Sequence, residues 1–266
     1  MITTYQAAPD IDVLTTSFPI PGLGQLAINS FVLHGDVPIL VDTGPVVERD
    51  SYLDALRSVI DPADLGWIWL THPDTDHTGA LGHLLEAHPG LRVVTTFLGV
   101  GILSTSAPLP MDRVHLVNPG QSVTLGSRTL TALRPPTFDN PSTTGFLDVD
   151  SRVLFPADCF GALLPEVPGN AADLADADLR EGQVRWATID SPWLHQVDRG
   201  VLARELDAFA TWEPSLILSS HLPAAPGGLL GRFLESVAAV PDAEPFVGPD
   251  QAALEAMLAG APAGAA

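Results

Sequence analysis

The chain has 266 residues, of which 46% are apolar and 17% charged, so it can bury a full core and is not a disordered chain. Acidic residues number 32 against 12 basic ones, all of them Arg, and the net charge of −20 makes nucleic acid and anionic membranes poor partners. The single cysteine, Cys159, excludes a disulfide framework and a multi-cysteine zinc knuckle. The opening residues MITTYQAAPDID carry neither the basic nor the apolar region of a signal peptide, and no run reaches the ~18 apolar residues of a membrane helix. A cytoplasmic protein is expected.

From Ile28, INSFVLHGDVPILVDTG reads as two strands around a Gly35-Asp36 turn. Tyr52, Leu53, Leu56, Val59 and Ile60 recur at helical spacing and predict a helix over 49–60. Trp67 to Leu70 is a short buried strand that runs into THPDTDHTGA, followed by a helix from about Gly79 to His88. LRVVTTF is a strand, and strand-like pieces between Val114 and Leu133 turn at Leu125-Gly126-Ser127. FLDVDSRVLF is a hairpin around Asp150-Ser151 that leads into the loop Pro156 to Phe160. Residues 200–211 are helical, SLILSS from Ser215 is a buried strand, and LLGRFLESVAAV is a further helix. The closing AGAPAGAA reads as a low-complexity tail, frayed over 258–266. No linker-like stretch interrupts this order, which predicts one domain over 1–266 with sheets inside and helices outside.

The densest polar cluster is His72, Asp74, Asp76 and His77, four candidate ligands in six residues where a buried strand ends. On a loop they can converge on one or two metal ions without distorting regular structure. The competing reading is a solvated loop with an Asp cap for the next helix. The order strand, cluster, Gly79-opened helix favours the metal.

The cluster resembles the His-x-His-x-Asp-His signature of the metallo-β-lactamase superfamily. ILVDTG with Asp42 matches its early strand and acidic turn, FPADCF with Asp158 its bridging aspartate, and SSHLP with His221 its late histidine. The resemblance covers most of residues 28–225. It implies an α/β fold, the αββα sandwich of the metallo-β-lactamase type, with a dinuclear site between the sheet ends. It also implies that Asp42 orients a histidine ligand without binding metal itself.

Two positions depart from that signature. Asp74 replaces its second histidine, and the loop RPPTFDNPSTTGF, where a third histidine is expected, offers Asp139 instead. Asp139 can equally be a turn residue ahead of Asn140-Pro141; the ligand reading is preferred. Four carboxylates (Asp74, Asp76, Asp139 and Asp158) carry −4 against +4 from two divalent ions, where the histidine-rich form keeps +2. Oxygen ligands favour iron or manganese and stabilise a trivalent state, and a neutralised pair is a poorer Lewis acid for hydrolysis. Carboxylate at the second position is similar to the flavodiiron proteins, although they carry Glu there. Carboxylate in place of the third histidine is similar to the diiron hydroxylases of this fold.

The resemblance thus implies two metal ions per chain, iron preferred, zinc or manganese the alternatives. His72, Asp74 and Asp139 hold one, Asp76, His77 and His221 the other, and Asp158 bridges them. The expected function is a non-haem diiron oxidoreductase that binds or activates dioxygen, with electrons from a separate donor protein. No flavin or nicotinamide site is read in the chain. The rival is a zinc-dependent hydrolase of esters, lactams or thioesters using a bridging hydroxide; a third reading is a metal-based oxygen or redox sensor. His195 and Trp193, in SPWLHQVD, are candidates to roof the site or line a small-molecule pocket, and a packed-loop histidine is the competing reading. GILSTSAPLPM and GALLPEVPGNAADLADADLREGQVRW are candidate pocket walls. His83 and His88 lie on a helix, with His88 near its C-terminus a charge-compensating cap, and His34 and His115 lie in strands. Cys159 reads as a small buried residue.

Overall fold

A computed structural model describes residues 1–260. The first half runs β1 (Thr3–Ala8), β2 (Ile11–Ile20), β3 (Gly24–Leu33), β4 (Ile39–Val41), α1 (Arg49–Val59), β5 (Trp67–Trp69), α2 (Leu81–Ala87), β6 (Arg92–Thr95), α3 (Phe97–Leu103) and β7 (Val114–Leu116). It continues with β8 (Ser122–Leu125), β9 (Arg128–Leu133), β10 (Gly145–Asp148), β11 (Val153–Phe155), β12 (Leu163–Leu164) and α4 (Asp176–Asp190). Then follow α5 (Arg199–Ala210), β13 (Leu216–Ile217), β14 (Ala225–Pro226), α6 (Leu230–Ala239) and α7 (Gln251–Gly260). Strands β1 to β7 form one sheet in sequential order, with β12 added against β3, and the second sheet has the order β14-β13-β11-β10-β9-β8. β4 to β7 pair in parallel, as do β11 and β13.

The period-2 alternation of each central strand sends its side chains into two different apolar layers. Phe31, Leu33, Ile39, Val41, Trp69 and Val94 meet Leu130, Phe146, Val153 and Phe155 of the second sheet. Their neighbours Val32, Leu40, Ile68 and Val93 face Tyr52, Leu56, Leu81 and Leu84 of α1 and α2. On the far side, Leu147, Leu154 and Ile217 pack on Leu179, Leu206 and Phe233 of α4, α5 and α6. The result is four layers, helix–sheet–sheet–helix. Because both faces are covered, these strands read as continuous apolar runs. Phe146 anchors the middle layer, with ring centroids 4.5 Å from both Trp69 and Phe155. Phe146→Ala is expected to cost about 3–5 kcal/mol, read as a lower denaturation midpoint.

The predicted helices and the hairpin around Asp150-Ser151 occur within a residue or two of their expected bounds, the strand expected from Ile28 starts four residues earlier at Gly24, and SLILSS keeps only two residues as strand. The structure adds β1 and β2, α3 and α4. Of the tail expected over 258–266, residues 258–260 lie in α7 and 261–266 lie outside the described residues. Among the described residues, no helix is long and apolar enough to cross a membrane.

Candidate metal centre

The cluster is assembled at the carboxyl ends of the two parallel strand pairs. β4 delivers Asp42, β5 delivers the loop from His72 to His77, β11 leads to Asp158, and β13 leads to His221. Hydrogen bonds join the first two of these segments. Thr43 N–H and Oγ1 both donate to His77 O (2.7 and 2.8 Å), and Gly79 N–H donates to Gly44 O at 2.8 Å. Asp42 and Gly44 adopt left-handed backbone, with φ of 57° and 69°. A Cβ at Gly44 would lie 2.3 Å from the Tyr52 ring, so only glycine fits.

Asp158 occupies the centre. Its Oδ2 lies 3.3 Å from His72 Nε2, while its Oδ1 lies 3.2 Å from His77 Nε2 and 3.3 Å from His221 Nε2. Asp76 Oδ2 closes one side at 3.4 Å from both His77 and His221 Nε2. On the other side, Asp139 Oδ1 lies 3.9 Å from His72 Nε2. Ligand atoms of His72, Asp74 and Asp139 fall within 4.8 Å of one another, and so do those of Asp76, His77 and His221.

Each imidazole is held from behind. His221 Nδ1–H donates to Ala27 O at 2.7 Å, and His77 Nδ1–H to Asp42 Oδ2 at 2.8 Å. Thr71 Oγ1 donates to Asp42 Oδ2 at 2.8 Å and so accepts from His72 Nδ1–H at 3.0 Å. For a neutral imidazole this network places the proton on Nδ1 and turns the Nε2 lone pair inward, the arrangement of a metal-binding histidine. His72 Nε2, His77 Nε2 and Asp158 Oδ1 are buried with no hydrogen-bond partner. Three imidazole nitrogens and several carboxylates facing one small space fit a pair of divalent cations.

Burial opposes a charged imidazole, but the surrounding carboxylates, Asp158 foremost, together outweigh it: His221 rises to about 9, and His72 and His77 also rise. Asp158, despite burial, is held well below the usual carboxylate range by His72, His221 and His77. In the metal-free protein His221 therefore carries an extra proton at pH 7 that a metal must displace. Loading at pH 7 is expected to acidify a weakly buffered solution, and apparent affinity to rise with pH until His221 deprotonates at about pH 9. Uptake without proton release, followed with a pH indicator, would contradict this.

In the loop between β9 and β10, the turn hydrogen bonds are made by Asn140. Its Oδ1 accepts from Ser142 N–H (3.0 Å) and Oγ (2.7 Å), and its Nδ2 donates to Asp74 Oδ1 at 3.2 Å. Asp139 is thereby left facing His72. Burial, then Asp158 and Asp74, push its carboxyl up to about 6 against the pull of His72.

Trp193 packs on Phe138 at 5.0 Å and donates to Phe138 O at 2.9 Å, so it braces the Asp139 loop. His195 joins none of the ligand groups; its Nε2 is buried without a partner. Trp186 of α4 lies 4.9 Å from the His221 ring and donates to Asp158 O at 3.3 Å. Gly161 permits this contact, since a Cβ there would lie 2.6 Å from Trp186 Nε1 and 2.8 Å from His221 Cβ. Cys159 is fully buried, which pushes its thiol up to about 12. Of the other histidines, His34 pairs with Asp12 at 2.7 Å, His115 lies on β7, His83 on α2, and His88 caps α2 through its backbone N–H.

One acidic residue escaped the sequence reading. Asp190, the last residue of α4, is 9% exposed and lies within 4.8 Å of Asp139 and Asp158. Burial, then Asp158 and Asp139, push its carboxyl up to about 7. The buried face of α4 mixes Leu179 and Ala187 with Gln183 and Asp190, which hides the helical period.

Curated relatives resemble half of this chain. Diflavin flavoprotein A 1 of Synechocystis sp. is 30% identical over 134 residues, 50% of this chain and 23% of that protein. Rubredoxin-oxygen oxidoreductase of Megalodesulfovibrio gigas is 28% identical over 133 residues, 50% of this chain and 33% of that one. The matched segment is thus a third or less of either relative. The solved structure of rubredoxin oxygen:oxidoreductase from Desulfovibrio gigas superposes with a TM-score of 0.78 at 20% identity, covering 92% of this chain and 63% of that one, and has the same fold. Residues 26–183, more than half of the chain, match the family model described as ODP family beta lactamase. The chain belongs to that family.

Proposed function

We propose that this chain is a non-haem dinuclear-iron oxidoreductase that binds or activates dioxygen, with electrons supplied by a separate donor protein. One observation carries the reading: three buried imidazole Nε2 atoms and the carboxylates of Asp74, Asp76, Asp139 and Asp158 converge on one space. His72, Asp74 and Asp139 would hold one iron, Asp76, His77 and His221 the other, and Asp158 would serve both. When bound, the iron pair supplies redox chemistry and a place for dioxygen. The four carboxylates cancel the charge of two divalent ions, which lowers the Lewis acidity that hydrolysis needs and favours trivalent iron. Asp42 fixes His77 directly and His72 through Thr71. Trp186 shields the His221 side from water, while Asp74, Asp76 and Asp139 are the solvent-accessible members. The name of the Megalodesulfovibrio gigas relative couples rubredoxin to oxygen, which supports an external electron donor here as well.

The test is to load apoprotein anaerobically with ferrous iron or with zinc and then admit air. The iron form is expected to consume dioxygen and to develop the near-ultraviolet and visible absorption of ferric iron. Efficient ester, lactam or thioester hydrolysis by the zinc form, with an iron form inert to air, would falsify the reading.

A further inference from the structure

Asp190 stands outside the ligand set expected from the sequence, yet it lies against that set. It ends α4 with its side chain turned inward, and one oxygen accepts from the buried Ser191 hydroxyl at 3.0 Å. One of its carboxylate oxygens lies within 4.8 Å of oxygens of Asp139 and Asp158. No arginine pairs with any of these three carboxylates among the described residues. Carboxylates this close, two of them buried, repel one another unless a proton or a cation lies between them. An independent observation points the same way: His72 Nε2, wholly buried and without a partner, is aimed at the same space, 3.3 Å from Asp158 and 3.9 Å from Asp139.

We propose that Asp190 is a ligand of the metal ion held by His72, Asp74 and Asp139. This rests on the dinuclear reading above. With the bridging Asp158, that position then has one nitrogen and four carboxylate ligands. The position of Asp76, His77 and His221 has two nitrogens and two carboxylates. The oxygen-rich position favours manganese or iron, and the other accepts iron or zinc, so the two differ in selectivity.

Apoprotein is equilibrated anaerobically with equimolar manganese, ferrous iron and zinc, and the bound metals are counted in wild type, Asp190→Asn and Asp190→Glu. The wild type is expected to bind two ions, with any manganese confined to one position and visible by electron paramagnetic resonance. Asp190→Asn keeps the size and the Ser191 hydrogen bond. It is expected to lose affinity at the oxygen-rich position alone, by more than the ~10–100-fold typical of removing a residue that only orients a ligand, and to lose the manganese signal. Asp190→Glu is expected to restore both, which packing alone would not do. An Asp190→Asn protein matching wild type in affinity and selectivity overturns the assignment, whichever metals bind. If wild type takes two zinc ions and Asp190→Asn loses one of them, the ligand assignment stands and the iron reading fails.

Discussion

Asp158→Asn is expected to leave a folded chain that no longer holds two metal ions. The two Asp158 oxygens address different histidines, Oδ2 facing His72 and Oδ1 facing His77 and His221. On the proposed reading, one carboxylate therefore serves both positions, and no other side chain touches all three imidazoles among the described residues. Asparagine keeps the size and loses the charge that offsets two cations. The expected loss exceeds the ~10–100-fold typical of removing a residue that only orients a ligand, so at most one ion remains after desalting. Elemental analysis of the desalted variant checks this. Two fully occupied metals would remove Asp158 from its role.

Asp42→Ala should be the most damaging change that touches no ligand position. Asp42 is 1% exposed and accepts from Thr71 N–H (2.9 Å), Thr71 Oγ1 (2.8 Å) and His77 Nδ1–H (2.8 Å). Alanine strands three buried donors and must also adopt φ near 57°. Breaking such a network costs about 3–5 kcal/mol, read by chemical denaturation of the apoprotein. Asp42→Asn tolerates the left-handed backbone and keeps two acceptor sites at its amide oxygen, while its NH2 faces a donor, so only part of that stability returns. Its metal affinity should still fall ~10–100-fold, because His77 is no longer oriented by a carboxylate. Unchanged affinity in the Asn variant would show that orientation of His77 is dispensable.

Local chemistry made much of this legible in sequence. Gly35-Asp36, Gly126 and Asp150-Ser151 punctuate hairpins, and apolar runs such as Trp67 to Leu70 are strands covered on both faces. The His72–His77 loop stands at a strand end, where a metal loop can stand. Other features depended on distant contacts. β1 and β2, in TTYQAA and IDVLTTSFPI, lack a turn signal as strong as Asn-Gly between them; β2 is fixed by pairing with β3, and β1 by pairing with β2. α4 hides its period because Gln183 and Asp190 face inward, toward Phe160 O and the carboxylates of Asp139 and Asp158. Whether Asp139 or Asn140 makes the turn is decided by Ser142 and by Asp74, sixty-six residues from Asn140 in sequence. His195 shares the local polarity of a site residue, but only Trp193 of that pair reaches the Asp139 loop.

The most direct measurement is the metal content of protein expressed without added metal and purified anaerobically. An oxygen-rich centre bridged by Asp158 predicts two iron ions per chain, falling to one or none in Asp158→Asn. Two zinc ions per chain, or iron content that Asp158→Asn leaves unchanged, would contradict it.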